Sequence, residues 1–200
     1  MRIAIDAMGG DFAPEHEILG ALEALKKDKD LDIVLVGRRS VLEKELAKHP
    51  HSDRIHVEHA EDVVSMHDSP TQAMREKKDS SLSVATQLLK EGNVEAMVSA
   101  GNTGAVLAHA IFGVGRIKNV ERPAIVAIFP TLRKPMVILD IGANVDCKPK
   151  HLVQFAKMGS IFSQTILGVK TPEVRLLNIG EEPEKGNELS VETYQLLKQQ

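Results

Sequence analysis

The chain has 200 residues, of which 42% are hydrophobic and 26% are charged, as in an ordinary globular protein. Its net charge of -3 and its aromatic content of 3% argue against nucleic-acid binding and against general attraction to an anionic membrane. The single cysteine, Cys147, excludes an internal disulfide and a cysteine-based zinc site and fits a reducing cytoplasm. No apolar run is long enough to cross a bilayer.

The first half of the chain alternates short apolar runs with segments of helical periodicity. We predict strands at Arg2–Asp6, Asp32–Val36, Ile55–Glu58 and Ala96–Ser99. We predict helices that begin at Pro14, at Ser40, at Pro70, after Ser80 and after the Gly101–Gly104 turn. The order of these elements indicates an α/β fold with a largely parallel sheet.

The second half continues the alternation and adds a hairpin-like pair. We predict strands at Ala124–Phe129, Met136–Asp140 and Val174–Ile179, with helices over Leu152–Ile166 and Val191–Leu197. The first two of these strands are separated only by Pro130–Pro135, so they are expected to form an antiparallel pair at one edge of the sheet.

Four loops rich in Gly, Asn or Asp are expected to leave the carboxyl ends of strands. They are Asp6–Asp11, Ser99–Gly104, Asp140–Asp146 and Asn178–Lys185. Ligands of open α/β sheets collect at this edge, where glycine lets the backbone approach a ligand and helix N-termini offer free N–H groups. One such loop is more often a simple turn, but four favour a small-anion site with phosphate as its occupant.

Sequence motifs exclude several alternatives and leave others open. The Gly113–Gly115 segment lacks the third glycine of a dinucleotide fingerprint, and the sequence contains neither a phosphate-binding P-loop motif nor a serine-hydrolase elbow. Cys147 remains a candidate nucleophile beside the simpler interpretation of a loop cysteine. Lys185 is either an exposed loop lysine or a partner for phosphate and developing negative charge. A surface cluster is favoured over a metal site for His49, His51, His56 and His59.

Six segments together resemble one family. They are DAMGGD, SMHDSPTQAMREKKDSS, VSAGNTGAV, LDIGANVDCKP, LVQFAKMGS and LLNIGEEPEKGNEL, and they run in order from residue 1 to about residue 190. The chain resembles the bacterial phosphate acyltransferases, the acyl-carrier-protein:phosphate acyltransferases of phospholipid synthesis. Members of that family are longer, so we expect residues 1–200 to form a single α/β domain that is the N-terminal part of a longer fold.

The resemblance implies a fold and a reaction. The expected fold is a three-layer α/β/α sandwich with a mostly parallel mixed sheet, of the isocitrate/isopropylmalate dehydrogenase class. The implied reaction moves a fatty acyl group reversibly from acyl carrier protein to inorganic phosphate, giving acyl-phosphate for a membrane glycerol-3-phosphate acyltransferase. The resemblance further implies a cytoplasmic homodimer that sits loosely at the inner face of the membrane, with no metal, no cofactor and no nucleic-acid partner.

The resemblance also suggests roles for individual residues. Phosphate is itself the nucleophile, so the enzyme has to desolvate and aim it. We expect catalytic roles for Lys185 and Asn102. The expected phosphate-binding residues are Asp6, Gly9, Gly10, Ser99, Gly101, Thr103, Gly104, Asp140, Gly142 and Asn144. A basic patch of Arg75, Lys77 and Lys78 is expected to dock the acidic carrier protein.

Three other functions compete with this one. A phosphotransacetylase-like enzyme would use acyl-coenzyme A as its donor. A nicotinamide-dependent decarboxylating dehydrogenase of similar fold would need a carboxylate-bound divalent metal and an arginine cluster, and neither is evident. A non-catalytic phosphate-binding fragment or regulator would bind phosphate without turnover.

Overall fold

A computed structural model describes residues 1–50 and 52–200, so His51 and its place in the expected histidine cluster lie outside the described residues. The contacts divide the chain into two compact units, Met1–Arg116 and Ile117–Gln200. Each unit is described by itself below. The expectation that residues 1–200 act as one domain of a longer fold stays a prediction.

The first unit is built on a four-stranded parallel sheet. Its strands are β1 (Arg2–Asp6), β2 (Asp32–Gly37), β3 (Ile55–His59) and β4 (Ala96–Ser99), arranged in the order β3-β2-β1-β4. All four lie within one residue of their predicted bounds. In the register of the sheet, Asp6 stands opposite Val36 on one side and Ser99 on the other.

Five helices accompany this sheet. They are α1 (Glu15–Lys27), α2 (Arg39–Leu46), α3 (Pro70–Glu76), α4 (Ser81–Lys90) and α5 (Thr103–His109), the last continuing as a π-helical turn over Ala110–Val114. Two predicted signals explain their starts. Pro70 occupies the first turn of α3, and the Ser80 hydroxyl caps α4 by accepting from the Ser83 N–H at 3.2 Å.

Helices cover both faces of the sheet. Alternate residues of β2 show this, because Ile33 and Leu35 pack with α1 and α2, while Val34 and Val36 pack with α4. A strand covered on both faces is apolar throughout, as the sequence DIVLV indicates. The first unit therefore has three layers, as the predicted sandwich requires.

The second unit contains two strands and two helices. Strands β5 (Val126–Phe129) and β6 (Met136–Leu139) form an antiparallel pair, which confirms the predicted hairpin. They make a sheet of their own rather than an edge of the parallel sheet. Helix α6 (Pro149–Leu167) ends at Gly168, which adopts the left-handed conformation with φ of 66°, and α7 (Glu188–Leu197) is capped by Asn187.

The predicted strand at Val174–Ile179 is wrong, because that segment has neither helical nor strand structure. Leu177 and Ile179 are 90% and 86% exposed, and no strand of the described residues pairs with the segment. Its apolar residues favour a strand locally, but the segment lacks the pairing that a sheet needs. Among the helices of the described residues, none combines the length and the apolar character needed to span a bilayer.

Candidate functional site

Asp6 and Ser99 connect the carboxyl ends of the two neighbouring strands β1 and β4. The Asp6 carboxylate is 2% exposed and accepts a hydrogen bond from the Ser99 hydroxyl at 2.8 Å. It also accepts from the Met8 N–H at 3.4 Å, while the Ser99 oxygen accepts from the Gly101 N–H at 3.2 Å. A buried carboxylate with these donors organises both loops.

Glycines let the two loops touch through their backbones. A Cβ on Gly101 would lie 2.7 Å from the Gly9 oxygen and 3.1 Å from its Cα. A Cβ on Gly9 would collide with the Asp6 carboxylate and lie 3.2 Å from the Ser99 hydroxyl. A side chain on Gly101 would push the loops apart, and one on Gly9 would displace the Asp6 carboxylate, so both glycines are required for this arrangement.

Asn102 caps helix α5 and holds a third loop against it. Its side-chain oxygen accepts from the Ala105 N–H at 3.0 Å. Its amide nitrogen donates to the carbonyls of Ser65 and Asp68 at 3.2 and 3.1 Å. The side chain is thus occupied by positioning contacts, and a catalytic role for Asn102 stays a prediction.

The first N–H groups of α5 are available to a ligand. The N–H groups of a helix's first turn have no partner within the helix. Within residues 1–50 and 52–200, no acceptor meets those of Thr103 and Gly104. A Cβ on Gly104 would lie 2.7 Å from Pro70 Cγ, so this glycine also allows α3 to pack close to α5. The start of α5 therefore presents two donors beside the Gly9–Gly101 contact.

The other end of α5 is fixed by a buried histidine. His109 is 4% exposed, with Nδ1 2.8 Å from the Ala105 carbonyl and Nε2 2.9 Å from the Ser83 hydroxyl. A carbonyl only accepts, so Nδ1 of His109 carries a proton and donates it to Ala105. This pair ties α5 to α4 and fixes the direction in which the start of α5 points.

Lys77 braces the loop that Asn102 holds. Its ammonium donates to the Asp68 carboxylate at 2.5 Å and to the Val63 carbonyl at 2.8 Å. The Asp68 carboxylate also accepts from the Ser65 N–H at 2.8 Å. The sequence predicts that Lys77 is an exposed docking cation, but in the structure its ammonium pairs with Asp68 and its side chain is only partly exposed. Arg75 and Lys78 remain exposed on this surface.

The Asp68–Lys77 pair predicts a dependence of stability on pH. The Lys77 ammonium, followed by the Ser65 N–H, lowers the pKa of Asp68. The unfolded chain then binds more protons in this range, so the stabilisation is present above the ordinary carboxyl pKa of about 4 and is lost as pH falls through the folded value. We expect Asp68→Asn to flatten the acid limb of stability measured by urea unfolding. The exposed control Asp30→Asn should leave that limb unchanged, and an equal flattening there would contradict the assignment.

Asp140 and Asn144 organise a loop in the second unit. The Asp140 carboxylate accepts from the Ile125 N–H at 2.8 Å and from the Asn144 N–H at 2.7 Å. The Asn144 amide also donates to the Pro123 carbonyl at 2.8 Å. Gly142, with φ of 102°, adopts a conformation that favours glycine. Both polar side chains therefore shape the loop.

Cys147 lies in an environment that disfavours a nucleophile. Burial raises the pKa of its thiol, and the negative charges of Asp140 and Asp146 add to the shift, while Arg122 opposes it. The reactive form of cysteine is the thiolate, which a raised pKa makes scarce at neutral pH. The geometry favours the simpler interpretation of Cys147 as a loop cysteine.

Lys185 has a fixed backbone and an exposed side chain. Its N–H donates to the Glu182 carbonyl at 3.0 Å, and its carbonyl accepts from the Asn178 amide at 2.7 Å. Gly186 adopts φ of 102°, and a Cβ there would collide with Asn178. The loop thus fixes the base of the Lys185 side chain while its ammonium stays accessible.

The expectation that four loops share one sheet edge is wrong. The first two loops leave adjacent parallel strands, but Asp140–Asp146 follows a strand of the separate antiparallel sheet, and Asn178–Lys185 follows no strand. The structure brings together Asp6, Gly9, Gly10, Ser99, Gly101, Asn102, Thr103 and Gly104 in the first unit. The other expected site residues, Asp140, Gly142, Asn144 and Lys185, lie in the second unit.

The Ser65–Asp68 loop was not among the expected site residues. Three carbonyls of this loop lie within 3.4 Å of the Asn102 amide nitrogen, which places the loop beside the start of α5. Two signals in the sequence cover this loop. It begins one of the six segments that resemble the family, and the Asp-Ser-Pro run predicts the start of α3, but neither reveals the long-range contact with Asn102.

Comparisons with known proteins identify relatives of this chain. The sequence model of a family described as "Fatty acid synthesis protein" matches residues 1–200. A protein of Clostridium tetani named phosphate acyltransferase is 51% identical over 199 residues, which cover 99% of this chain and 60% of that protein. One of the same name from Dictyoglomus turgidum is 52% identical over 99% of this chain and 59% of its own length. The chain thus spans about three fifths of the length of these relatives.

A solved structure extends the comparison to the fold. The EutD phosphotransacetylase from Staphylococcus aureus aligns with a TM-score of 0.70 and 15% sequence identity, over 100% of this chain and 64% of that one. At this identity the match shows a shared α/β fold with a mostly parallel sheet. Together with the family match and the relatives of about half-identical sequence, it leads to one conclusion: the chain belongs to the fatty acid synthesis protein family, alongside the phosphate acyltransferases.

Proposed function

We propose that the protein transfers a fatty acyl group from the thioester of acyl carrier protein to inorganic phosphate. The observation that carries the proposal is the pair of available N–H groups at Thr103 and Gly104, beside the backbone contact of Gly9 with Gly101. Helix N-termini and glycine loops bind phosphate through such donors. The name shared by the relatives supports phosphate as the acceptor.

The proposed reaction needs positioning more than covalent catalysis. A phosphate oxygen bonds to the thioester carbonyl carbon, the carbon–sulfur bond breaks, and the thiolate leaves and takes up a proton. Phosphate at neutral pH is already an anion, so its activation requires removal of water and correct aim. Asp6 and Ser99 serve this aim by fixing the two loops, and Asn102 does so by holding α5 to the Ser65–Asp68 loop.

The tetrahedral intermediate carries negative charge on the former carbonyl oxygen. An ammonium or N–H group directed at that oxygen lowers the barrier. On the basis of the family resemblance we propose Lys185 for this part; its side chain is exposed and the backbone of its own loop is fixed. Lys185 is the one cation among residues 180–186. Glu181, Glu182 and Glu184 of the same loop are acidic.

Arg75 and Lys78 are the proposed docking residues for the carrier protein. Both are exposed, and within residues 1–50 and 52–200 neither forms a salt bridge. An acidic partner is attracted to such a patch in a salt-dependent way. We expect Arg75→Glu combined with Lys78→Glu to raise KM for the carrier-bound substrate and to weaken its salt dependence. The control variant, Lys26→Glu combined with Lys29→Glu, should change neither KM nor its salt dependence. The same KM in the wild type, the Arg75/Lys78 variant and this control would contradict the assignment.

Acyl-coenzyme A is the alternative donor. The fold shared with a phosphotransacetylase is consistent with it. The two donors are separated by measuring acyl-phosphate formation from palmitoyl-carrier protein and from palmitoyl-coenzyme A, each with inorganic phosphate. Turnover with the carrier protein alone supports the proposal, turnover with coenzyme A alone supports the alternative, and phosphate binding without turnover supports a non-catalytic role.

Further properties remain proposals that rest on the family resemblance. They are homodimer formation, a cytoplasmic location with loose association at the inner face of the membrane, and delivery of acyl-phosphate to a membrane glycerol-3-phosphate acyltransferase.

A further inference from the structure

The Ser83 hydroxyl, in the first turn of helix α4, lies among three polar groups. Its oxygen is 2.9 Å from the Lys77 carbonyl oxygen, 2.8 Å from the Ser80 hydroxyl and 2.9 Å from Nε2 of His109. A hydroxyl has one proton to donate, and a carbonyl can only accept. The Ser80 hydroxyl donates to the Ser83 oxygen. The single hydroxyl proton of Ser83 therefore goes either to Lys77 or to His109.

The charge of His109 decides between these two partners. Nδ1 of its ring already donates a proton to the Ala105 carbonyl at 2.8 Å. If Ser83 donates to Lys77, its oxygen can only accept from Nε2, so the ring carries two protons and a positive charge. If the ring is neutral, Nε2 accepts the Ser83 proton, and the Lys77 carbonyl loses that donor. The two arrangements differ by one proton on His109.

The surroundings of His109 hold several charged groups. The buried ring borders an open cavity of about 510 Å³, which Ser83 also lines. Three charged side chains line the same cavity: Glu58 of β3, Lys78 after α3 and Glu91 after α4. Residues 103–114, which comprise α5 and the turn after it, contain no titratable side chain other than His109. Of these side-chain types, only an imidazole ordinarily changes its charge between about pH 5 and 8.

Lys77 connects the Ser83 hydroxyl to the Ser65–Asp68 loop. Its carbonyl is one of the two possible acceptors of the Ser83 proton, while its ammonium donates to the Asp68 carboxylate. Without the Ser83 proton, the Lys77 carbonyl retains the Ser80 N–H at 3.2 Å, which is the longer of the two bonds. Loss of the Ser83 bond therefore loosens the backbone of the residue whose side chain braces the loop.

We propose that His109 and Ser83 form a pH-sensitive switch that controls how firmly Lys77 braces the Ser65–Asp68 loop. At low pH the charged ring donates to Ser83, and the Ser83 hydroxyl donates to the Lys77 carbonyl. At high pH the ring releases its Nε2 proton to solvent, the Ser83 hydroxyl turns to Nε2, and the Lys77 carbonyl loses its closer donor. The switch is independent of the proposed function, because no substrate takes part in it.

Nitrogen-15 spectra of the 200-residue chain, recorded from about pH 5 to pH 8, test the switch. His67 is exposed in the same loop and would add a titration of its own, so every sample carries His67→Gln. We expect Nε2 of His109 to change from the protonated to the unprotonated signal as the pH rises. The backbone amides of Lys77 and Asp68 should shift with the same midpoint.

Two further substitutions separate the switch from a direct effect of the ring's charge. Ser83→Ala keeps the His109 ring and removes the hydroxyl, so the pH-dependent shifts of the Lys77 and Asp68 amides should be lost. The control Ser40→Ala removes an exposed hydroxyl from the first turn of α2 and should retain those shifts.

Three results would overturn the inference. The first is a His109 ring that keeps one protonation state across the whole pH range, which needs no substitution at Ser83. The second is a ring that titrates while the Lys77 and Asp68 amides stay fixed. The third is a set of amide shifts that follows the ring equally in Ser83→Ala, with the fold checked in the same spectra. None of these results bears on acyl transfer to phosphate.

Discussion

Gly101→Ala is expected to weaken phosphate binding by at least about tenfold and to lower the free energy of unfolding by about 1–3 kcal/mol, the usual cost of overpacking. The added Cβ would lie 2.7 Å from the Gly9 oxygen and 3.2 Å from its carbonyl carbon. These are backbone atoms, so no side-chain rotation relieves the contact. The two loops must separate, which moves the start of α5 away from Gly9. Isothermal titration with phosphate and urea unfolding measure the two effects.

Gly20→Ala is the matched control for this prediction. Gly20 lies in α1, and a Cβ there would meet no atom within 4 Å. Alanine in an exposed helix position is expected to raise the free energy of unfolding by about 0.5–1 kcal/mol and to leave phosphate affinity unchanged. Wild-type phosphate affinity in Gly101→Ala would show that the loop contact does not shape the anion site.

Lys185→Ala should lower turnover by roughly tenfold or more, as expected for the loss of one donor to an oxyanion. The effect should fall on kcat, because the interaction forms with the charge that develops in the transition state. The fold of the loop should survive, since the contacts that fix it use the backbone of Lys185. Steady-state kinetics with both substrates varied separate kcat from KM.

Lys170→Ala provides the comparison, because Lys170 is another exposed lysine of the second unit. It should keep wild-type kinetics. Unchanged turnover in Lys185→Ala would remove that residue from the site, while an equal loss in both variants would point to a general effect of positive charge.

Local patterns in the sequence predict most of the first unit. The apolar run of β2, the proline at the start of α3 and the Ser80 cap of α4 depend on neighbouring residues alone, and the structure has each of them close to its predicted place. The Asp6 and Gly101 loops are also predicted, because strand-to-helix junctions with glycine have a known geometry. Both of these loops do lie on adjacent strands.

Features that depend on tertiary contacts are not predicted. Val174–Ile179 has the composition of a strand, but pairing decides whether one forms. The sequence suggests that Lys77 belongs to an exposed basic patch, but in the structure it forms a salt bridge with Asp68. The sequence suggests a catalytic role for Asn102, but in the structure its amide nitrogen donates to the Ser65–Asp68 loop. Lys77 lies nine residues after Asp68, and Asn102 lies 37 residues after Ser65, so neither contact belongs to a local motif.

The central claim is that phosphate binds at the start of α5 beside the Gly9–Gly101 contact. Amide proton–nitrogen correlation spectra of the isotope-labelled chain, recorded during titration with phosphate and with chloride at matched ionic strength, test it most directly. We expect the largest phosphate-specific shifts at the amides of Thr103 and Gly104, with smaller ones at Gly9 and Gly10. Shifts confined to residues outside these loops, or equal shifts with chloride, would contradict the account.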